Sequence, residues 1–266
     1  MVLHEDFWLD SDGISLATSL FMPPGPGPHP GLVLCHGMPA GPQQPAQQPD
    51  VGVSASSGGD LEYHALAEWC AWEGFATVIF NFRGTGPSGG NFHHLGWAKD
   101  LDVVVSWLKE RQGMDTARIV LLGSSLGAAV AIYVAAHRQD VAGLVSFAGP
   151  AVMGPRTQPA ESVERMRSMG IIRDPDFPPS LEEWAQEGQR LSPVDWISSI
   201  APRPLLLLHG DADDTVHPDS VYALFERAGE PKEFRLLLGV GHRFRQDETA
   251  IGSALEWLKE RFLPPA

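Results

Sequence analysis

The chain has 266 residues, 43% of them hydrophobic and 20% charged, an ordinary globular composition with enough surface to bury a core without disulfide staples. Its formal net charge of −14, with no run of Lys or Arg, excludes the positive footprint of a nucleic-acid binder. Two cysteines, Cys35 and Cys70, are too few for a disulfide framework, and both stand in apolar contexts that predict buried thiols.

The first residues, MVLHEDFWLDSDG, carry acids where a signal peptide needs basic and then apolar residues. No apolar run approaches the length of a membrane span. The expectation is a cytoplasmic protein that neither enters a membrane nor binds nucleic acid. Residues 14–22, ISLATSLFM, alternate as a half-exposed strand does. The run 31–35, GLVLC, is continuously apolar, as central strands covered on both faces are. Residues 39–59 are rich in Pro, Gln, Ser and Gly and read as a long, mobile loop. A helix is predicted over 60–73, with Asp60 as N-cap and Leu61, Leu66 and Trp69 on one face.

The alternation then continues. Strands are predicted at 76–82, 118–122, 141–148, 203–209 and 233–238, and helices at 97–111, 125–137, 217–228 and 246–262. This is the pattern of a single α/β domain over 1–266: a mostly parallel central sheet with helices on both faces. Residues 151–200 exceed what a crossover needs and read as a small helical cap insertion over the C-terminal edge of the sheet.

Gly123-Ser124-Ser125-Leu126-Gly127 lies directly between a predicted strand and a predicted helix. In that context a G-x-S-x-G motif is a sharp turn that lifts the central serine, Ser125, above the sheet. A serine hydroxyl is a weak nucleophile and requires a base. His242, in Gly239-Val240-Gly241-His242 after the last predicted strand, is placed to serve. An imidazole base requires a carboxylate to fix its tautomer. The segment His209-Gly210-Asp211-Ala212-Asp213-Asp214-Thr215-Val216 offers three, and spacing alone does not choose among them.

At these residues the chain resembles the α/β-hydrolase superfamily, in the order Ser, acid, His. The superfamily's H-G-x-x-D-x-x-V pattern selects Asp213 as the acid and leaves Asp211 and Asp214 as turn or capping residues. Leu34-Cys35-His36-Gly37-Met38 resembles its H-G-x oxyanion loop. This implies backbone N–H donors at Leu126 and at Met38, with Gly37 the rival to Met38. The stretch 192–216, SPVDWISSIAPRPLLLLHGDADDTV, resembles esterase and prolyl-oligopeptidase-like members, and the expectation is a member without the propeller of those peptidases. Serine at the nucleophile position departs from dienelactone hydrolases, which use cysteine, and from haloalkane dehalogenases, which use aspartate.

The resemblance implies a carboxylesterase-like serine hydrolase with an acyl-enzyme on Ser125 and a small-molecule ester or acyl substrate. A peptidase, amidase or thioesterase would use the same three residues. A binding protein that had lost catalysis is the reading from another class. No metal or organic cofactor is expected, since His93 and His94 lack partner spacing. The loop 81–90 reads as a glycine-rich turn held by Arg83. Trp97, Phe147, Met153 and Trp184 are candidate apolar liners of the substrate pocket, and a monomer or simple homodimer is the default assembly.

Overall fold

The computed structural model describes residues 1–39, 61–154 and 157–264, with residues 61 and 62 by backbone only. The loop predicted over 39–59, apart from residue 39, and the proposed Asp60 cap lie outside the described residues.

Eight strands form one sheet: β1 (Leu3–Ser11), β2 (Ile14–Met22), β3 (His29–Cys35), β4 (Ala76–Phe80), β5 (Met114–Ser124), β6 (Gly143–Phe147), β7 (Leu205–Gly210) and β8 (Lys232–Leu237). Their order is β1-β2-β4-β3-β5-β6-β7-β8. Strand β2 runs antiparallel to both its neighbours, and every pairing from β4 to β8 is parallel. This is the mostly parallel, helix-flanked sheet that the strand–helix alternation predicts.

The continuous apolar runs divide between two cores with a period of two. Val33, Ile119, Leu121, Leu205 and Leu207 face one side of the sheet, against α2 (His94–Lys109), α3 (Leu126–His137) and α7 (Asp219–Arg227). Leu32, Leu34, Val120, Leu122, Leu206 and Leu208 face the other, against α1 (Leu61–Trp72) and α8 (Glu248–Phe262). Both cysteines are buried free thiols whose pKa values burial pushes up.

Two expectations are corrected and one strand is added. Strand β2 is buried continuously from Leu16 to Phe21, because both faces of the sheet are covered there: Leu20 packs into one core and Phe21 into the other. Trp69 is 39% exposed, since α1 packs through Tyr63, Leu66, Ala67, Cys70 and Ala71 instead. Strand β1 was not predicted: its acids, Glu5, Asp6 and Asp10, suit an edge strand with one partner and mask any apolar run.

Residues 151–200 hold α4 (Pro159–Ser168), α5 (Leu181–Arg190), the short α6 (Pro193–Trp196) and a final 3-10 turn. They are fastened to the loop after β4. Arg173 donates from Nη1 to the Ser88 carbonyl (2.5 Å) and from Nη2 to that of Gly86 (2.8 Å). The Asn91 side-chain oxygen accepts from the N–H groups of Arg173 and Asp174, and Phe92 N–H donates to the Ile171 carbonyl (2.7 Å).

That loop is itself anchored by a buried ion pair. Arg83 donates from Nε and Nη2 to the Asp100 carboxylate, which also accepts from Arg83 N–H and the Ser11 hydroxyl. The two side chains are 7% and 0% exposed. Charge-assisted, bidentate bonding offsets the cost of desolvating both groups. Asp100→Ala would strand the guanidinium without a counter-ion, and the expected loss is about 3–5 kcal/mol. Calorimetry should show a clearly lowered Tm, and an unchanged melt would contradict this account of the pair.

Candidate active site

Ser125 stands between β5 and α3 with φ 54° and ψ −122°. A non-glycine residue there is strained by about 1–3 kcal/mol. The neighbouring glycines show what enforces the turn. A Cβ on Gly123 would stand 2.5 Å from the Gly127 carbonyl oxygen, and one on Gly127 would stand 2.3 Å from that of Cys35. The small residues therefore let the α3 N-terminus press against the end of β3. Ser125 N–H is held by the Phe147 carbonyl (2.9 Å). Ser124, the other serine of the motif, ends β5 as a buried residue.

The end of β3 lies directly on this turn. A Cβ on Gly37 would be 2.9 Å from Ser125 Cβ and 3.0 Å from the Ser124 carbonyl oxygen. Leu126 N–H opens α3, where helical geometry supplies no acceptor. Neither Leu126 N–H nor Met38 N–H has a hydrogen-bond partner among the described residues. Both candidate donors are thus available to an incoming oxygen.

His36 shapes this corner, although in the sequence it is visible only as part of the Leu34–Met38 motif. Its Nδ1 lies 2.7 Å from the Gly37 carbonyl, which can only accept, so Nδ1 carries the proton. Nε2 then accepts from Phe82 N–H (3.4 Å). The ring therefore joins the end of β3 to the loop after β4. Burial holds its pKa down at about 4, against an ordinary 6.5; the bond to Gly37 opposes this and the charge of Arg245 adds to it. His94, packed against Phe92 and Trp184, is lowered to about 4 by the same desolvation.

These two rings set an acid limit on the fold. Below pH 6.5 the unfolded chain takes up protons that the folded rings refuse until about pH 4. Stability is therefore full above pH 6.5 and falls between 6.5 and 4, by up to about 1.4 kcal/mol per pH unit for each ring. Urea melts at pH 7 and pH 4.5, followed by tryptophan fluorescence, should differ by several kcal/mol; equal midpoints would contradict it.

The candidate acid and the candidate base meet across β7 and β8. Asp213 has a fully buried side chain. Its Oδ1 accepts from the N–H groups of Thr215 and Val216 (2.9 Å each), and its Oδ2 lies 2.8 Å from His242 Nδ1. A carboxylate accepts, so Nδ1 carries the hydrogen and Nε2 is free to take a proton. The other two acids point elsewhere. Asp211 accepts from Gly239 N–H (2.6 Å), and exposed Asp214 accepts from the Thr215 hydroxyl. Ser125, Asp213 and His242 all follow the C-terminal ends of parallel strands, so one sheet edge carries them. The Ser125 hydroxyl makes no hydrogen bond among the described residues; catalytic hydrogen bonds often tighten only in the complex with substrate.

The four candidate pocket liners are placed differently from one another. Trp97 and Phe147 have no exposed surface. Trp97 stacks on Phe82 at 4.4 Å and donates to the Arg83 carbonyl, and Phe147 packs on Phe244. Both are core side chains, a correction whose physical reason is that strand and helix interiors bury them on the sheet. Trp184 is 5% exposed and donates to the Phe92 carbonyl, so it joins α5 to the core. Met153 is partly buried against the same core. Of the paired histidines, His93 bridges Arg83 and Glu187. No group of three metal-ligating side chains occurs among the described residues, and no described helix is long and apolar enough to cross a membrane.

The sequence profile of the prolyl oligopeptidase family matches residues 62–263. The uncharacterized protein Rv2307c of Mycobacterium tuberculosis is 30% identical over 197 residues, 73% of this chain and 63% of that protein. The chain thus spans less than two thirds of that relative. Among solved structures, the α/β-hydrolase GrgF from Penicillium sp. sh18 superposes with a TM-score of 0.74 at 19% identity, over 98% of this chain and 99% of that one. The esterase domain of a Rhodothermus marinus protein gives 0.67 at 19% identity, over 97% of each. At these identities the two structures establish the fold alone.

Proposed function

This chain belongs to the prolyl oligopeptidase family, within the α/β-hydrolases, and from that premise we propose that it cleaves carboxylic esters of small molecules through an acyl-enzyme on Ser125. The observation that carries the reading is the 2.8 Å hydrogen bond between Asp213 and His242, on the sheet edge where Ser125 stands in a strained turn. In the first step His242 Nε2 takes the Ser125 proton as Oγ attacks the carbonyl carbon. The oxygen of that carbonyl gains charge and is met by the N–H groups of Leu126 and Met38. Asp213 stabilises the imidazolium without taking its proton. His242 then protonates the leaving alcohol, deprotonates water for attack on the acyl group, and returns the proton to Ser125. No step calls for a metal or organic cofactor.

The match to a peptidase family favours a second reading, amide cleavage by the same residues. One experiment addresses both. The purified chain is treated with a fluorophosphonate probe, then assayed on p-nitrophenyl esters of graded acyl length and on aminoacyl anilides. Labelling of Ser125 with preferred ester turnover is the expected result. Preferred anilide turnover would replace esterase by peptidase, and absence of labelling with no turnover on either panel would sink both.

A further inference from the structure

His209, at the end of β7, has no exposed surface and lies behind the Asp213–His242 pair. Its Nε2 is 2.8 Å from the Val216 carbonyl oxygen, which can only accept, so Nε2 carries the hydrogen and Nδ1 is bare. That bare Nδ1 is buried with no partner among the described residues. An orphaned acceptor in a core is costly, and a leucine of similar size would avoid the cost. The ring therefore invites the question of what its N–H does.

The Nε2–H bond closes the loop from 209 to 216 at the carbonyl side of Val216. The amide side of the same residue, with that of Thr215, binds Asp213 Oδ1. Oδ2 is thereby turned to His242. His209 Nε2 itself stands 3.6 Å from Asp213 Oδ2, beyond a hydrogen bond, so its effect passes through the loop. We propose that His209 is a positioning residue: by holding the Val216 carbonyl it fixes the Asp213 carboxylate in line with His242. Burial lowers the pKa of the ring, which favours the uncharged form that does not compete with His242 for the carboxylate. The catalytic part of this inference rests on the serine hydrolase reading above.

The test compares His209→Leu, His209→Asn and His209→Gln in the full chain, with circular dichroism and melting as fold checks. Gln can bring an N–H to the Val216 carbonyl; Asn is too short, and Leu has none. His209→Leu and His209→Asn are expected to lower kcat on an ester about 10- to 100-fold with KM changed less than about threefold. Both should also lose the far-downfield proton resonance of the His242 Nδ1–H bonded to Asp213. His209→Gln should recover most of each. Should His209→Leu fail to fold, the Gln and Asn variants decide: equal retention or equal loss in both overturns the inference. So does a folded His209→Leu with wild-type kcat and resonance. If the wild type neither labels nor turns over ester, the hydrolase reading fails separately, and the resonance still reports whether His209 positions Asp213.

Discussion

Ser125→Gly is expected to abolish ester turnover, by about a millionfold in kcat, while making the protein more stable. The first effect follows from removing the oxygen proposed to form the acyl-enzyme. The second follows from the backbone. With φ 54° and ψ −122°, Ser125 occupies a region that a Cβ disfavours by about 1–3 kcal/mol and that glycine enters freely. Glycine costs roughly 0.5–1 kcal/mol through its freer unfolded state, so a net gain of about 1 kcal/mol remains. For a chain of this size that is a Tm higher by about 2–4 °C. Ser125→Ala is the control: it loses the same activity and keeps the strain, so its Tm should stay near wild type. A Ser125→Gly protein no more stable than Ser125→Ala would remove the claim that the turn stores strain for function. Retained activity in either variant would remove the nucleophile.

The parts of this molecule that could be read along the chain are those whose cause is local. Runs such as LVLC, IVLL and LLLL are central strands because both sheet faces are covered, and covering both faces leaves no polar alternation to hide them. The turn at Ser125 was legible because a strand, two glycines and a helix adjoin it. Strand β1 was not, because its acids interrupt any periodic signal. Trp97 and Phe147 looked like pocket walls because hydrophobicity does not say which side of a wall a ring occupies. The bonds that make His36 and His209 matter are side chain to backbone, the first reaching across 46 residues to Phe82. No spacing rule encodes them. Among Asp211, Asp213 and Asp214, it was likeness to a family pattern that named Asp213. The physical distinction is the direction of the Thr215 and Val216 amides, which only the folded turn reveals.

That distinction makes Asp213→Asn the most discriminating single substitution in the acid loop, and its expected cost is about ten-thousandfold in kcat with little change in fold. Thr215 and Val216 both donate to Oδ1, so the Asn oxygen is obliged to take that position. The Asn nitrogen is then left where Oδ2 was, facing His242 Nδ1 at the distance of a hydrogen bond. An amide nitrogen donates, so Nδ1 must become the acceptor and the ring hydrogen moves to Nε2. A ring protonated at Nε2 has nothing with which to receive the serine proton, and the neutral amide no longer stabilises the imidazolium. Two losses therefore arise from one isosteric change, which is why the expected effect exceeds that of any purely structural perturbation of the loop. Asp211→Asn, which touches only the Gly239 amide, should change kcat by less than about tenfold, since one hydrogen bond outside the site is worth about 1 kcal/mol. Steady-state kinetics on both variants, with melts to confirm folding, decide the matter. If the larger loss falls on Asp211→Asn, the carboxylate that serves His242 in turnover is not the one bonded to it here.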